Sequence, residues 1–258
     1  MKLLLKHLKY KELLFNLISR DLKLKYRRSV LGYLWTILNP LLIMIVMTIV
    51  FSHMFRFRIQ HFPVYLLTGT LLFGFMQTAT IRALNSIIDN ASLIRKTYVP
   101  KYIFTMSAIT SELVNLLFAL FALLFVILAT GVPFTWYFLF IVVPLIQLYV
   151  FCLGVGLFLA QVAVFFRDIQ YIWTVLCTAW MYLTPIFYPV ELLPDTLQWI
   201  VMRFNPLYIY ITAFRGCILP GIALQPEYFL YGAALAIVVL LLGALTFNLN
   251  KNKFILHI

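Results

Sequence analysis

Charged residues are scarce in this sequence of 258 residues, and acidic residues are the scarcest of them. Charged residues make up 11% of the chain, with 20 Lys and Arg against 8 Asp and Glu. Apolar and aromatic residues make up 64%, whereas a soluble domain has roughly 25% charged and about 45–50% apolar residues. This balance excludes a soluble globular enzyme and a disordered chain, and it predicts a polytopic membrane protein.

The residue patterns that build metal, disulfide and nucleotide sites are also missing. The three cysteines lie far apart without a CxxC pair, and the four histidines do not cluster, so neither a metal site nor a disulfide framework is predicted. No GxxxxGK[ST], HExxH or GxSxG motif occurs, which excludes a P-loop and the common hydrolase signatures. We therefore expect no catalytic residue, no metal and no cofactor on this chain.

Six apolar segments are long enough to cross a bilayer as helices. The short alternating segments of a transmembrane barrel are absent, so the fold class is all-α. The predicted spans are residues 30–55, 63–88, 102–130, 136–166, 169–188 and 228–249.

The basic residues fall mainly on one side of these spans. With a cytoplasmic N-terminus, the inside segments are 1–29, 89–101, 167–168 and 250–258, and they contain most of the 20 Lys and Arg residues. Cytoplasmic loops carry an excess of Lys and Arg, so both termini are predicted to be cytoplasmic. The basic excess therefore indicates topology and not a nucleic-acid partner, for which no exposed basic domain remains.

Two further segments are amphipathic but do not qualify as spans. In residues 1–29, apolar residues recur every three to four positions between lysines and arginines, which predicts a helix in the inner interface. This helix is either an orientation anchor or an element that also shapes substrate entry. Residues 189–227 contain two short stretches bounded by prolines, which predicts a re-entrant outer hairpin that serves as a cap or as a gate.

Glu112 is the only carboxylate well inside a predicted span. Proton-coupled transporters use several intramembrane ionisable groups, so a single one does not indicate proton coupling. We expect Glu112 to accept interhelical hydrogen bonds, with Ser111 or Asn115 nearby.

Aromatic residues crowd the fifth span and the start of the first. An interfacial belt explains most of them by depth, but aromatic faces with polar tips also suit sugar rings. The candidates for sugar contact are Tyr33, Trp35, Trp173, Trp180, Tyr182, Phe187 and Tyr188.

The loop 89–101 is predicted to be a short helix that docks into a cytoplasmic partner. It contains exposed apolar residues that a simple connection does not need, and such residues are typical of a helix that enters a groove. The docking candidates are Asp89, Asn90, Leu93, Ile94, Arg95, Lys96, Tyr98 and Pro100.

Four segments, in order along nearly the whole chain, resemble the permease subunit of type-2 ABC exporters of polysaccharides and polyol phosphates, such as O-antigen, capsule, rhamnan and teichoic-acid exporters. The segments are the basic run 20–28 with 31–35 and 39–40, the loop 90–100, residues 164–169, and residues 184–189 with 193–194 and 205–207.

The resemblance implies a homodimer in the bacterial cytoplasmic membrane that works with two copies of a separate ATP-binding subunit. That subunit would carry ATP and Mg²⁺, and the cargo would be an undecaprenyl-linked glycan. The loop 89–101 would be the coupling helix, the first and fifth spans would line the channel at the dimer interface, and 189–227 would be the outer gate. The cytoplasmic mouth would contain Arg27, Arg28, Arg167 and Asp168.

Two alternatives belong to other classes of protein. An ABC exporter of a drug or another small hydrophobic molecule would need an apolar pocket in place of aromatic and hydroxyl groups. A membrane-embedded lipid enzyme would need a cluster of His, Asp or Glu residues, which the sequence lacks.

Overall fold

The regular structure of the described residues is entirely helical, with no strand among them. The computed structural model describes residues 10–27, 29–54, 59–96 and 99–256. Arg28 and Tyr98, and residues 1–9 of the predicted interface helix, lie outside these ranges. The α-helices are α1 (Lys11–Tyr26), α2 (Trp35–Met54), α3 (Phe62–Asp89), α4 (Ala91–Lys96), α5 (Tyr102–Thr130), α6 (Val142–Phe165), α7 (Ile169–Leu183), α8 (Asp195–Phe204), α9 (Pro206–Ile218) and α10 (Pro226–Asn250).

Five helical segments of the described residues are long and apolar enough to cross a membrane. They are Gly32–Phe51, Phe62–Asp89, Tyr102–Thr130, Trp136–Phe165 and Pro226–Phe254. The all-helical prediction is therefore confirmed, whereas the count of six spans stays a prediction.

The difference in count comes from the predicted fifth span, residues 169–188. Helix α7 has only 15 residues, a length of about 22 Å at 1.5 Å per residue, against a hydrocarbon core of roughly 30 Å. It ends because Thr184 takes an extended conformation directly before Pro185, and residues that precede proline disfavour the helical region. Residues 184–188 continue as a series of bends.

Helix α3 is the centre of the bundle. In its most apolar stretch 72% of the residues are buried, whereas the corresponding value for the first span is 6%. Helices α5 and α6 pack along α3, and α10 packs along α6. Helix α2 therefore presents most of its apolar surface outside the monomer.

Helices α6 and α10 approach each other closely where two glycines face each other. A Cβ atom added to Gly154 would lie 2.5 Å from the backbone nitrogen of Leu240, and one added to Gly243 would overlap the carbonyl group of Gly154. Small residues allow such backbone contact between membrane helices, where van der Waals packing drives association.

Gly243→Ala is expected to destabilise the protein by about 1–3 kcal/mol, because the added methyl group forces α6 and α10 apart. Gly74→Ala in α3 is the matched control, since no atom lies within 4 Å of its added Cβ. Unfolding of the purified protein in SDS titrations measures both changes. Equal stability of the two variants would contradict the close contact.

The basic segments of the sequence meet at one end of the bundle. Leu17 of α1, Ile94 of α4, Phe104 of α5 and Phe254 near the C-terminus belong to one buried apolar cluster. Lys101 lies over the ring of Phe254 at 5.2 Å from its centroid and donates a hydrogen bond to the carbonyl of Lys251. Burial, and then the charge of Lys251, lower the pKa of the Lys101 ammonium. Because these segments lie at the same end of the helix bundle, their placement supports a common side of the membrane for them.

Candidate transport site

A cluster of charged side chains joins α1 to the bundle. The carboxylate of Glu112 in α5, which is 4% exposed, lies 3.1 Å from Lys25 Nζ of α1 and 2.8 Å from Arg82 Nη1 of α3. Asn115 Nδ2 donates a third hydrogen bond to Glu112 at 3.0 Å. Glu112 lies ten residues after the start of α5, which is about 15 Å along the helix. Its contact with Lys25 therefore places the end of α1 along the side of the bundle.

The cluster continues toward the basic end of the molecule. Arg82 also lies 3.6 Å from the carboxylate of Asp21, which is paired with its neighbour Arg20 at 3.0 Å. Arg20 Nη2 donates to Asn90 Oδ1 at 3.1 Å, and Asn90 immediately precedes α4. A continuous series of polar contacts therefore connects the carboxylate of Glu112 to the start of the predicted docking helix, α4.

The structure confirms only part of the expectation for Glu112. Asn115 binds the carboxylate as predicted, but the hydroxyl of Ser111 donates to the carbonyl of Ser107 in the same helix. The two cations that neutralise Glu112 were not predicted as its partners. Charged side chains at membrane depth face the interior and pair with one another, and Arg82 and Glu112 follow that rule.

A cavity of about 520 Å³ opens between α2, α3 and α5 beside this cluster. Lys25 and Glu112 lie in its lining together with Trp35 of α2, while Leu71 and Leu116 contribute apolar surface. We call it the inner cavity. It is amphipathic, because charged groups and long apolar stretches line the same space. Trp35, a predicted contact for sugar, is therefore placed in the lining of a cavity.

The short helix α4 forms as predicted over part of the loop 89–101, but its apolar side chains do not all face outward. Ile94 is 6% exposed and packs in the cluster with Leu17 and Phe104, and Leu93 packs against the same cluster. The expectation that these apolar residues are exposed is therefore wrong for Ile94. The cause is the apolar cluster at this end of the bundle, in which Ile94 is buried with residues of α1 and α5. The exposed residues of this region are Asp89, Ser92, Arg95 and Lys96, while Asn90 and Pro100 are half-buried.

The aromatic candidates divide into two groups. Trp173 Nε1 donates to Thr80 Oγ1 and Trp180 Nε1 donates to Asn205 Oδ1, both at 2.9 Å. The polar tips of both half-buried indoles are thus engaged inside the monomer. The rings that remain exposed are those of Tyr33, Trp35 and Tyr182.

Phe187 and Tyr188 lie in the turn after α7 and stabilise it. The ring of Phe187 stacks on Phe51 with a centroid distance of 5.6 Å. The hydroxyl of Tyr188 donates to the carbonyl of Tyr182 at 2.6 Å. Both side chains are half-buried and hold the turn against the bundle.

Asn205 fixes the junction between the two helices of the outer segment, α8 and α9. Its Oδ1 accepts hydrogen bonds from the backbone N–H groups of Leu207 and Tyr208, which makes it the N-cap of α9. Its Nδ2 donates to Thr184 Oγ1 at 2.9 Å. Together with the bond from Trp180, these contacts tie the tip of the α8–α9 hairpin to the end of α7.

The predicted mouth residues that the structure describes are exposed. Arg27 follows α1, and Arg167 and Asp168 lie in the tight turn between α6 and α7. The neighbouring side chain of Phe165 contacts Phe254 of the basic end, with a centroid distance of 5.9 Å. The turn 167–168 therefore lies at the same end as α1 and α4.

Several residues that carry these contacts were absent from the sequence predictions. They are Asp21, Lys25, Arg82, Asn205 and Arg215. Arg82 and Arg215 had a usable signal, since Arg215 is the single charge of α9 and Arg82 is the only charge of α3 before its last residue, Asp89. Lys25 had none, because it is one of many lysines in a basic segment.

Neither a metal centre nor a nucleophilic site is indicated. The described residues contain no group of three or more His, Cys, Asp and Glu side chains placed to hold a metal. Cys152, Cys177 and Cys217 are unpaired and buried. What the described residues offer is a lined cavity, a paired charge cluster and unpacked helix faces, and these suit passage and assembly.

Comparison with known proteins assigns the family. The model of the ABC-2 type transporter family matches residues 12–219. The O-antigen export system permease protein RfbA of Myxococcus xanthus is 32% identical over 247 residues, which cover 95% of each chain. The polysialic acid transport protein KpsM of Escherichia coli is 23% identical over 242 residues and 93% of each chain. The capsule polysaccharide export protein CtrC of Neisseria meningitidis is 25% identical over 197 residues and 74% of each chain.

The match covers the charge cluster, the inner cavity, α4 and the α8–α9 hairpin, since all of them lie within residues 12–219. The chain therefore belongs to the ABC-2 type transporter family and is a multi-pass protein of the inner membrane.

Proposed function

We propose that this chain is the channel-forming permease of an ATP-driven exporter that moves a lipid-linked polysaccharide across the cytoplasmic membrane. Relatives that match nearly the full length carry O-antigen export and polysialic acid transport in their names. The chain has no P-loop, so ATP and Mg²⁺ are bound by a separate subunit. The undecaprenyl carrier and two ATP-binding subunits per dimer belong to this proposal.

The observation that carries the proposal is the placement of α4. This helix protrudes between α3 and α5 at the basic end of the bundle, and its residues Ser92, Arg95 and Lys96 are exposed. A short exposed helix between two membrane helices is suited to a groove on another protein. Its root is tied through Asn90 and Arg20 to the charge cluster beside the inner cavity, so a movement of α4 is transmitted to the transport region.

A homodimer would cover the helix faces that the monomer leaves unpacked. The first span is only 6% buried over its most apolar stretch, and Cys177 is the only buried residue of α7. We propose that α2 and α7 meet their counterparts across the dimer axis and line the channel. Tyr33, Trp35 and Tyr182, which are exposed in the monomer, are then the aromatic groups available to the glycan.

The proposed topology has six crossings and places both termini in the cytoplasm. Helix α7 and the bent segment 184–189 form the crossing that brings the count to six, and α8 and α9 return from the outer surface as a re-entrant hairpin. The shared apolar cluster of Leu17, Ile94 and Phe254 supports a common side for the N-terminal helix, α4 and the C-terminus. Arg27, Arg28, Arg167 and Asp168 form the cytoplasmic mouth in this arrangement.

Reconstitution with the ATP-binding subunit of the same operon tests the proposal. We expect the permease alone to hydrolyse no ATP, and the complex in proteoliposomes to export the lipid-linked glycan made by the host with ATP hydrolysis. Lys96→Glu on the exposed face of α4 is expected to weaken binding of the ATP-binding subunit about tenfold, which corresponds to 1.4 kcal/mol. Titration of the labelled subunit measures this affinity.

Lys253→Glu is the matched control, because Lys253 is also exposed and lies at the same end of the bundle. It is expected to leave subunit affinity unchanged. Equal loss in both variants would indicate a general charge effect. Export of a small hydrophobic drug without glycan export would overturn the proposed cargo.

A further inference from the structure

Arg215 in α9 is a buried cation that is bound mainly by backbone carbonyl groups. Its side chain is 3% exposed, and no carboxylate of the described residues lies within ion-pair distance of it. Nη1 donates to the carbonyl of Pro185 at 2.8 Å, and Nη2 donates to the carbonyls of Tyr65 at 2.8 Å and Ile186 at 3.1 Å. Nε donates to Thr68 Oγ1 at 3.3 Å.

Tyr65 of α3 holds the same segment from the other side. Its ring lies under the guanidinium group, with 3.4 Å between the ring centroid and Arg215 Cζ. Its hydroxyl donates to the carbonyls of Pro185 at 3.2 Å and Tyr188 at 2.9 Å. The carbonyls of Pro185, Ile186 and Tyr188 in the turn are therefore bound by two side chains, which we call the outer latch (Tyr65 and Arg215).

The sequence of α3 leaves room for this latch. Gly69 lies one helical turn after Tyr65 on the same face. A Cβ atom at Gly69 would lie 2.7 Å from Arg215 Nη2 and 3.0 Å from Ile186 Cγ2. Any larger residue would push both groups away, so Tyr65, Thr68 and Gly69 together form a receptor for the arginine.

The latch ties both ends of the α8–α9 hairpin to α3. Pro185 and Ile186 lie before α8, and Arg215 lies near the end of α9. Between these points α8 is loosely packed, with Val201 as its only buried residue. A cavity of about 500 Å³ lies directly beside the latch and is lined by Tyr65, Pro185 and Arg215. Helix α9, by contrast, is buried along nearly its whole length, so the hairpin has a fixed arm in α9, a loosely packed arm in α8 and space beside the segment that leads into α8.

A buried guanidinium without a counter-ion is costly unless its donors are satisfied. Here the carbonyls of residues 185 and 186 satisfy them, so Arg215 is stable only while the segment 184–188 is in place. Displacing the segment leaves both the cation and the carbonyls without partners. The segment is therefore either seated on Arg215 or fully released from it. Such an element has two discrete arrangements and not a continuous range.

We propose that the outer latch holds the segment 184–188 and the loosely packed α8 in their closed position and sets the energy required to open the exit of the channel. Arg215 and Tyr65 are positioning residues in this role. The inference rests on the proposed function, because it identifies the hairpin as the outer gate of the export channel.

The test uses the reconstituted complex with its ATP-binding subunit, in proteoliposomes that contain a potassium-sensitive dye and receive no ATP. Arg215→Lys keeps the charge but loses the planar fork that reaches three carbonyls. We expect it to raise passive potassium entry about tenfold, the change that 1.4 kcal/mol produces in a closed–open equilibrium. Tyr65→Phe removes only the two hydroxyl bonds, and we expect a rise of about threefold.

Arg203→Lys is the matched control, since Arg203 belongs to the same hairpin but is exposed and stacks on Trp199. It is expected to keep the wild-type leak. If Arg215→Lys does not yield a folded complex, Tyr65→Phe decides the question.

Wild-type leak in folded Arg215→Lys and Tyr65→Phe complexes that export normally would overturn the latch. A raised leak in the variants, together with a wild-type complex that exports no glycan, would support the latch and overturn the proposed function. A leak that rises equally in Arg203→Lys would show general loosening of the hairpin and would also overturn the latch.

Discussion

Glu112→Gln is expected to destabilise the permease by about 2–3 kcal/mol and to release α1 from the bundle. The neutral amide leaves Lys25 and Arg82 without the carboxylate that both contact. Breaking a fully buried pair costs about 3–5 kcal/mol, but Lys25 and Arg82 are 40% and 35% exposed and regain part of this energy from water. The expected cost is therefore below that range.

Two measurements separate the local effect from the global one. SDS unfolding reports the stability, and hydrogen exchange reports protection of the amides of α1. We expect exchange in α1 to accelerate more than exchange in α3. Glu227→Gln is the control, because Glu227 is exposed at the start of α10. A change of less than about 0.5 kcal/mol, the usual size for a surface substitution, would contradict the role of the cluster.

A double-mutant cycle isolates the bond between α1 and α5. Lys25→Met removes the cation that connects them, so Glu112→Gln should cost less in this background. We expect a coupling energy of about 0.5–3 kcal/mol, as for residues in contact. Purely additive effects would show that Lys25 does not stabilise Glu112.

Ile94→Asp is expected to destabilise the permease itself by about 3 kcal/mol or more. The sequence alone treats Ile94 as an exposed docking residue, and it therefore predicts that this change uncouples the partner without unfolding the permease. In the structure Ile94 is buried against Leu17 and Phe104, so the substitution places an unpaired carboxylate in an apolar cluster.

Ser92→Asp is the matched control for this substitution, because Ser92 is exposed in the same short helix. It should leave the unfolding transition unchanged. The outcome for Ile94→Asp distinguishes the two interpretations directly. A stable permease that has lost only its affinity for the ATP-binding subunit would restore Ile94 as a docking residue.

The sequence by itself determined the class of the protein. The scarcity of charge and the apolar runs required a helical membrane protein, because each backbone group in lipid must be satisfied within its own helix. The periodicity of residues 1–29 predicted an amphipathic helix, of which α1 is the described part. The mixed loop 89–101 predicted a short helix, which the structure has as α4. These features depend on local composition and spacing, which a single sequence contains.

The tertiary structure decided which of these residues carry the contacts. Lys25 resembles every other lysine of the basic segment until α1 is packed along α5, where it reaches Glu112. Ile94 resembles an exposed docking residue until the fold buries it in one apolar cluster with Leu17 and Phe104. The partner of Trp180 also lies far along the chain, since Asn205, 25 positions later, accepts its N–H group.

Arg215 shows the same dependence most clearly. The sequence places it in an outer segment with other arginines, and only the fold surrounds it with the carbonyls of residues 65, 185 and 186. Partners separated by 29 to 150 positions in the chain leave no local signal in a single sequence. Composition and periodicity therefore determine the helices, whereas the pairing of polar groups between helices is decided by packing.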